Sequence, residues 1–302
     1  MKKICCLILL FLLTITACTT QDGTIYAPTT QENTSAEADA ETSAEYSSFD
    51  LTDTWDLETS TTILFDGEAA QISGDGAALA EGTLLIEQEG TYVLQGEFSG
   101  SVQVTLAKTE KAQLVLDGVN INCGTTAAIN ITSADKVVVT LAPGSENTLS
   151  DGSDYVTQSG AEPNACLFSK DDLTINGTGA LTVLGNCNNG IGTKNDLKIV
   201  SGTLTVNASK NALKGNDSVR ILDGSITVTM CADAIKSDNE TEPDKGFVTI
   251  SGGTLECTCA DDGIQAVNSV AISGASVTVT AADKAVNCDG AVNIEEGCLI
   301  TK

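Results

Sequence analysis

Aspartate and asparagine recur at one fixed place in a set of similar rows that fill the second half of the sequence. The rows begin at Leu173, Leu197, Val219, Val248, Val270 and Val292. Fourteen residues into the row, with two extra residues allowed in the first, come Asn189, Asn211, Asp233, Asp262 and Lys284. One residue earlier come Asn188, Lys210, Ala232, Asp261 and Asp283. Two neighbouring columns of the repeat are therefore rich in oxygen-bearing side chains.

Stacking of the rows would bring several of these carboxylates together, because equivalent residues of neighbouring strands lie ~4.8 Å apart. Carboxylates that close repel each other, and Ca²⁺ accepts about six to eight oxygen ligands in irregular geometry. The alternative is a solvated acidic turn, since Asp and Asn are favoured in turns in any case. We predict a Ca²⁺ site whose ligands come from Asp233, Asp261, Asp262, Asp283, Asn211 and Asn189.

Basic side chains stand beside this acidic edge. Lys214 and Lys236 lie three residues beyond the aspartate column. Balancing the negative charge is the simplest role for them, but each could also bind a uronate carboxylate or act as a base if its pKa is lowered. Arg220 is the sole arginine of the sequence and therefore the single candidate for a bidentate carboxylate clamp. We expect it to point outward, because it follows Val219 in a strand and neighbours in a strand alternate faces.

The rows themselves predict the architecture. Each holds two short apolar-alternating strands separated by a turn such as Ser-Gly or Asp-Gly, and successive starts are 24, 22, 29, 22 and 22 residues apart. An insertion at residues 239–246 accounts for the longer spacing. A period in the low twenties with glycine turns is typical of solenoids, in which one coil cannot bury its own core. We predict an all-β, single-stranded parallel β-helix with coils of about 22 residues.

Composition excludes several classes of function. The formal net charge is −26 and the sequence contains no histidine. A surface this acidic repels nucleic acid and anionic lipid, and it would repel an acidic polysaccharide unless metal ions intervened. The absence of histidine removes the usual zinc sites, serine–histidine triads and histidine general bases.

The first residues predict export. Lys2 and Lys3 precede an apolar run, which gives a signal peptide over residues 1–17. The segment Ile15-Thr16-Ala17-Cys18 resembles a bacterial lipobox, which implies that Cys18 is diacylated and becomes the mature N-terminus. The alternative is an ordinary secretory signal with an incidental cysteine. We expect a protein anchored through lipid to the outer face of the bacterial cell membrane.

The rest of the chain divides into a tether and one domain. Residues 18–50 are acidic and rich in Thr, Ser, Ala and Glu, which predicts a disordered tether. The domain occupies residues 51–302, with regular repeats from residue 171. We expect two strands within Leu84–Leu94 and further strands at Val102–Leu106, Gln113–Leu116 and Val137–Leu141. We expect no helix after the signal peptide, and a capping or docking role for Trp55.

Two further expectations concern cysteine and the end of the chain. Eight of the 11 cysteines follow the export region, and buried free thiols are favoured over disulfides or metal ligation. The sequence ends at Lys302, partway through a row, which would leave unpaired strand edges. The tail could pair differently, a second subunit could cover this open coil, or the chain could be a shortened member of its family.

Four runs of the repeat carry a specific resemblance: NCNNGIGTKNDLKI, ALKGNDSVRI, AIKSDNETEPDKGFVTISGGTL and DDGIQAVNSVAISG. They resemble the repeats of a family of secreted clostridial carbohydrate-binding proteins, over about Asp171 to Gly290. The resemblance implies a calcium-containing, right-handed parallel β-helix shaped like pectate lyases, which binds cellulose and acidic sugars such as polygalacturonate. Typical rows of that family read DGIK, whereas Gly192 replaces the Lys here and Lys210-Asn211-Ala212 replaces an acidic pair. These departures put some calcium positions of the family in doubt.

Three functions follow as hypotheses. The first is a calcium-dependent carbohydrate-binding domain for acidic, plant-type polysaccharide, because Ca²⁺ would bridge aspartate ligands to uronate carboxylates. The second is a polysaccharide lyase, in which Ca²⁺ acidifies the proton next to the carboxylate and Lys214 or Lys236 removes it. The third is an adhesin or stalk, in which the repeat is a spacer without a ligand.

Overall fold

The computed structural model describes residues 45–153, 155 and 162–302. Residues 46–302 form one compact unit. The predicted signal peptide, Cys18 and the tether up to residue 44 lie outside the described residues. Within the described residues, no helix is long and apolar enough to cross a membrane.

The described chain is an all-β solenoid whose strands, numbered in chain order, fall into three parallel stacks around one axis. The first stack comprises β9 (Lys136–Leu141), β12 (Asp172–Gly177), β15 (Asp196–Ile199), β18 (Ser218–Ile221), β21 (Phe247–Ile250), β24 (Ser269–Ile272) and β27 (Ala291–Ile294). The second comprises β10 (Glu146–Asp151), β13 (Ala180–Gly185), β16 (Thr203–Ala208), β19 (Ser225–Met230), β22 (Thr254–Cys259), β25 (Ser276–Ala281) and β28 (Leu299–Thr301). The third comprises β8 (Ile129–Ser133), β11 (Ala165–Ser169), β14 (Asn189–Thr193), β17 (Leu213–Gly215), β20 (Ile235–Ser237), β23 (Ile264–Ala266) and β26 (Val286–Cys288).

The first part of the domain extends these stacks and closes them. Its strands are β1 (Thr61–Gly67), β2 (Ala69–Ser73), β3 (Ala77–Ala80), β4 (Thr83–Ile86), β5 (Gly90–Phe98), β6 (Ser101–Thr105) and β7 (Lys111–Cys123). Strands β1 and β2 pair antiparallel, as do β3 and β4, so two hairpins cover the N-terminal end of the solenoid. The strand patterns predicted within Leu84–Leu94 form β4 and β5, and the polar residues 87–89 turn the chain between them.

The row starts identified in the sequence pair directly with one another. Leu173 pairs with Leu197, and Leu197 pairs with Val219. The pairing of Val219 with Val248 is kept despite the longer spacing, so the insertion at residues 239–246 lies outside the stack. The stacking of the rows in register is confirmed.

Alternating side chains fill one continuous core between the stacks. In β22 the burial of successive residues alternates strictly, and Cys257 and Cys259 both point inward. The core cluster runs from Ile63 in β1 to Val279 in β25, and it continues through Cys298. All eight cysteines that the structure describes are free thiols, and six of them are buried.

The segment before β1 packs onto the outer face of the first stack. It contains a four-residue helix, α1 (Ser48–Leu51), capped by Ser47. The expectation of no helix after the signal peptide is therefore wrong. Trp55 packs against Val93, Val115 and Ala142, in agreement with the docking role expected for it.

Candidate metal and glycan site

The predicted aspartate edge lies at the corner between the second and third stacks. Asp233 precedes β20 by two residues and Asp262 precedes β23 by two. Their backbones pair with the neighbouring coils, since Ala212 N–H donates to Asp233 O and Ala234 N–H donates to Asp262 O, at 2.9 and 3.2 Å. Both side chains are buried, with 3 % of each residue exposed. The parallel ladder thus fixes the height of each carboxylate along the solenoid.

Three of the predicted ligands come together here. Carboxylate oxygens of Asp233, Asp261 and Asp262 all lie within 4.8 Å of one another. Asp261 is exposed, whereas the other two are buried. We call these three residues the aspartate cluster.

Hydrogen bonds hold the two buried carboxylates in place. Asp233 Oδ1 accepts from the backbone N–H of Asp262 at 3.2 Å, and Asp262 Oδ1 accepts from that of Lys284 at 3.1 Å. Asp262 Oδ2 also accepts from Asn287 Nδ2 at 2.6 Å. Lys236 Nζ lies 3.2 Å from Asp233 Oδ2. Each carboxylate oxygen has two lone pairs, so both groups keep capacity for another partner.

The cluster carries more negative charge than its neighbours neutralise. The charge of Asp233 is the main cause that raises the pKa of the Asp261 carboxyl, followed by desolvation and by the charges of Asp262 and Asp283. Lys236 opposes this shift without cancelling it. A hard cation with oxygen ligands fits this arrangement, because it would relieve the repulsion among the carboxylates.

The other predicted ligands take different positions. Asp283 is exposed and acts on Asp261 through its charge, outside the group of three. Asn189 Oδ1 accepts from the backbone N–H and the Nδ2 of Asn211, at 3.2 and 2.9 Å, which extends an amide ladder along the corner. Asn211 Oδ1 is buried and has no hydrogen-bond partner among the described residues. Asn211 belongs to the coil next to that of Asp233.

The basic residues named from the sequence do not share one place. Lys236 contacts the aspartate cluster, whereas Lys214 Nζ pairs with Asp238 Oδ2 at 2.7 Å. Arg220 points outward from β18, as expected, where Nη1 lies 2.8 Å from Asp196 Oδ2 and the guanidinium stacks over Phe247 at 4.7 Å. Arg220 thus lies on the first stack, whereas the aspartate cluster lies at the corner between the second and third stacks.

Sequence reasoning missed the parts played by Asn287 and Asp238. Asn287 stands in the same column as Lys236 and Gln265, and its amide anchors Asp262. Asp238 borders the insertion and holds Lys214. The column alignment contained Asn287, but only the structure shows which acceptor its amide reaches.

Known proteins share both the sequence and this fold. Residues 80–298 match the family described as carbohydrate-binding domain-containing protein. A protein of that description from Acetivibrio thermocellus is 46 % identical over 241 residues, which cover 78 % of this chain and 84 % of the relative. A solved structure, the polysaccharide lyase-like protein from C. thermocellum as a gadolinium derivative, is 45 % identical with a TM-score of 0.78. That match covers 80 % of this chain and 99 % of the solved one. With this extent of similarity, the chain belongs to the family of carbohydrate-binding domain-containing proteins.

Proposed function

We propose that this protein binds acidic, plant-type polysaccharide through Ca²⁺ held at the aspartate cluster. In this proposal the domain is a right-handed parallel β-helix with coils of about 22 residues. Diacylated Cys18 anchors it to the outer face of the bacterial cell membrane, and the following segment serves as the tether. Polysaccharide is the partner, and the membrane is reached through the lipid alone.

The observation that carries the proposal is the spacing of three carboxylates. Asp233, Asp261 and Asp262 place oxygen atoms within 4.8 Å of one another with one lysine as their close counter-charge. The raised pKa of Asp261 is the expected consequence of negative charge that lacks a cation. Asn211 Oδ1, buried without a partner, offers a further oxygen on the neighbouring coil.

Each side chain would have a distinct task. Asp233 and Asp262 are oriented by backbone and amide donors, so they provide rigid ligands. Asp261 is exposed and lies at the open side, where a glycan can approach. Bound Ca²⁺ would supply positive charge and open coordination positions for a uronate carboxylate. The charge of −26, which otherwise repels an acidic polymer, is then bridged at this site.

The similar solved protein supports a hard cation. That protein was solved as a gadolinium derivative, and gadolinium, like Ca²⁺, is a hard cation. The name "polysaccharide lyase-like" belongs to that protein and supports a polysaccharide as the ligand class here.

Thermal unfolding of the mature domain with EDTA and with millimolar Ca²⁺ tests the metal step. An ion that binds only the folded state stabilises it by about 2.7 kcal/mol at a hundred times its Kd. We expect Ca²⁺ to raise the Tm of the wild type and to lose this effect in the Asp233→Asn, Asp262→Asn double variant. A second double variant, Asp53→Asn with Asp244→Asn, removes the same formal charge at exposed positions and should respond like the wild type.

A missing calcium response in the wild type would contradict the metal proposal and favour the stalk. A response together with calcium-dependent retention on immobilised polygalacturonate would support the function as proposed. Equal retention in EDTA and in Ca²⁺ would support carbohydrate binding but contradict a role for calcium in it.

One observation favours a lyase as the second candidate. Lys236 Nζ lies 3.2 Å from Asp233 Oδ2, so a basic group stands directly beside the proposed cation. In its neutral form, after Ca²⁺ has taken its place on Asp233, Lys236 would remove the proton next to the uronate carboxylate; a C=C bond forms, the glycosidic C–O bond breaks, and the leaving oxygen takes a proton from water. Lys214 pairs with Asp238 and not with the aspartate cluster, so it is the weaker candidate. Ultraviolet absorption by an unsaturated product after incubation with polygalacturonate and Ca²⁺ would support this activity.

A further inference from the structure

Three cysteines lie close together inside the solenoid, shortly before the aspartates in the chain. Cys257 and Cys259 both point inward from β22, and Cys231 follows β19 in the preceding coil. The Cys259 thiol is hydrogen-bonded to the thiols of both Cys231 and Cys257. Cys231 precedes Asp233 by two residues, and Cys259 precedes Asp262 by three. Calcium and glycan binding at the aspartate cluster make no use of these thiols.

Backbone hydrogen bonds place Cys231 opposite Cys259. In this parallel ladder Cys259 pairs with Ala281, and the Cys259 carbonyl accepts from the N–H of the following residue, Ala282. The Cys231 carbonyl accepts in the same way from the N–H of Ala260, the residue after Cys259, at 2.9 Å. Opposite residues of neighbouring strands are ~4.8 Å apart, and a disulfide needs about 4.4–6.8 Å between its Cα atoms. The spacing of this pair therefore suits a disulfide.

Cys257 is a poorer partner for Cys259, although their thiols are also hydrogen-bonded. One residue separates the two cysteines in an extended strand, so their parallel side chains begin ~6.6 Å apart. A disulfide needs about 3.5–4.5 Å between its Cβ atoms. Cys257 is also more deeply buried, with 1 % of the residue exposed against 5 % for Cys231 and 7 % for Cys259. Access by an oxidant therefore favours the pair of Cys231 with Cys259.

A metal ion held by the three thiols is not supported. Within the described residues, only the aspartate cluster brings three ligand atoms from cysteine or acidic side chains within 4.8 Å of one another. The three thiols therefore do not form a compact metal cage, whereas a disulfide requires two sulfur atoms alone.

We propose that Cys231 and Cys259 are the site of a reversible disulfide that cross-links the coil of Asp233 to the coil of Asp262. The oxidant is an oxidised low-molecular-weight thiol, RSSR. One protein thiolate attacks RSSR, forms a mixed disulfide and releases RS⁻; the second thiolate attacks the protein sulfur of that mixed disulfide and releases another RS⁻. Two cysteine thiols are oxidised, one RSSR is reduced, and the two thiol protons end on two molecules of RSH.

This bond would close the longest coil of the regular repeat. Row starts are 29 residues apart here because of the insertion at residues 239–246, which lies between the two cysteines. Closing a longer loop costs more chain entropy, so a cross-link across it stabilises the folded state more. The stabilisation is independent of calcium and of glycan binding.

Peptide mapping after mild oxidation tests the site. The folded protein is incubated with hydroxyethyl disulfide, free thiols are blocked with N-ethylmaleimide in denaturant, and the protein is cleaved with trypsin. Cys231 then lies in the peptide of residues 221–236, and Cys259 lies with Cys257 in that of residues 246–284. We expect the two peptides to be disulfide-linked in the wild type and in the matched control Cys257→Ala, but separate in Cys259→Ala.

Thermal unfolding of the same samples tests the stabilisation. We expect oxidation to raise the Tm of the wild type and of Cys257→Ala by roughly 5–10 °C, and dithiothreitol to reverse the rise. The Tm of Cys259→Ala should not respond to the oxidant. This variant should fold, because Ala281 already occupies the equivalent position of the next coil.

Two results would overturn the proposal. Separate peptides in the oxidised wild type, or linked peptides in Cys259→Ala, would show that Cys231 and Cys259 are not the site. A linked protein that melts no higher than the reduced one would show that the bond does not stabilise the coils. Neither result affects the calcium response of the aspartate cluster, so failure of this proposal is distinguishable from failure of the proposed function.

Discussion

Asp50 and Lys136 form a buried ion pair although they are 86 residues apart in the chain, with 2.8 Å between Lys136 Nζ and Asp50 Oδ1. Thr174 donates to the same carboxylate at 2.6 Å, and Lys198 Nζ lies 3.4 Å from it. These three partners belong to β9, β12 and β15. A single carboxylate from α1 therefore joins three successive coils of the first stack.

Removing this carboxylate should destabilise the domain strongly. Asp50→Ala removes the carboxylate shared by two lysines that are only about a tenth exposed, and breaking a buried pair costs about 3–5 kcal/mol. Urea unfolding should show a lower midpoint. Asp135→Ala removes a partner of Lys111 from an exposed pair at 3.4 Å and should cost less than about 1 kcal/mol. Equal losses in both variants would contradict the role assigned to Asp50.

The same ion pair predicts that the domain loses stability at acid pH. Burial alone would raise the pKa of Asp50, but hydrogen bonds from Lys136, Thr174 and Ser47 outweigh it and hold the pKa well below its usual 3.8. Because the folded pKa is lowered, the stabilisation is present above about pH 4 and is lost as the pH falls towards the folded pKa. Unfolding free energies of the wild type and Asp50→Ala should converge below pH 4. A constant difference from pH 7 to pH 2 would contradict this.

The aspartate cluster predicts the opposite dependence of folding stability on pH. Since neighbouring charges raise the folded pKa of Asp261 above 3.8, the cluster destabilises the fold increasingly as the pH rises from about 4 through that folded pKa. In EDTA, Asp261→Asn should therefore melt higher than the wild type at pH 7, and the difference should vanish near pH 3. In Ca²⁺ the order should reverse at pH 7. A variant that melts lower in both conditions would show that Asp261 has another structural role.

Gly192 offers a test of a departure from the family repeat. A Cβ atom at this position would lie 3.0 Å from the Cβ of Ala165, which is fully buried with Phe168. Gly192→Lys, which restores the lysine of the typical row, should therefore destabilise the domain by about 1–3 kcal/mol through overpacking. Lys214→Ala, one coil further in the same column, is the control and should have a smaller effect. Unchanged stability in Gly192→Lys would show that the neighbouring strand shifts enough to accommodate the side chain.

The sequence period predicted the regular coils because the residues within each row determine the fold of that coil. Each row repeats apolar alternation and a glycine turn, so Leu173, Leu197 and Val219 had to stack once the rows stacked at all. The same register brought Asp233 and Asp262 together. The ion pair of Asp50 with Lys136 could not be found in this way, because neither residue belongs to a repeat that relates one to the other.

Competing hydrogen bonds explain the incomplete ligand set. Asn189 and Asp233 occupy equivalent positions, but the amide of Asn211 gives the oxygen of Asn189 a donor that a carboxylate neighbour does not provide. Two stacked asparagines can hydrogen-bond to each other, because each amide has a donor and an acceptor, whereas two ionised aspartates have acceptors alone. The column therefore changes character between Asn211 and Asp233, which residue counting alone does not show.

Variants of Lys236 and Lys214 distinguish a role in charge balance from a role in calcium binding. Lys236 Nζ occupies one side of Asp233 Oδ2, so its ammonium competes with a cation for that carboxylate. Lys236→Gln should therefore tighten Ca²⁺ binding about fivefold, in line with the roughly 1 kcal/mol that a partly exposed ion pair contributes. Lys214→Gln alters the pair with Asp238 instead and should leave the calcium affinity unchanged. Calorimetric titration with CaCl₂ in the absence of glycan measures both. Weaker calcium binding in Lys236→Gln would show that the lysine orients Asp233 for the ion, since loss of a competitor cannot lower the affinity.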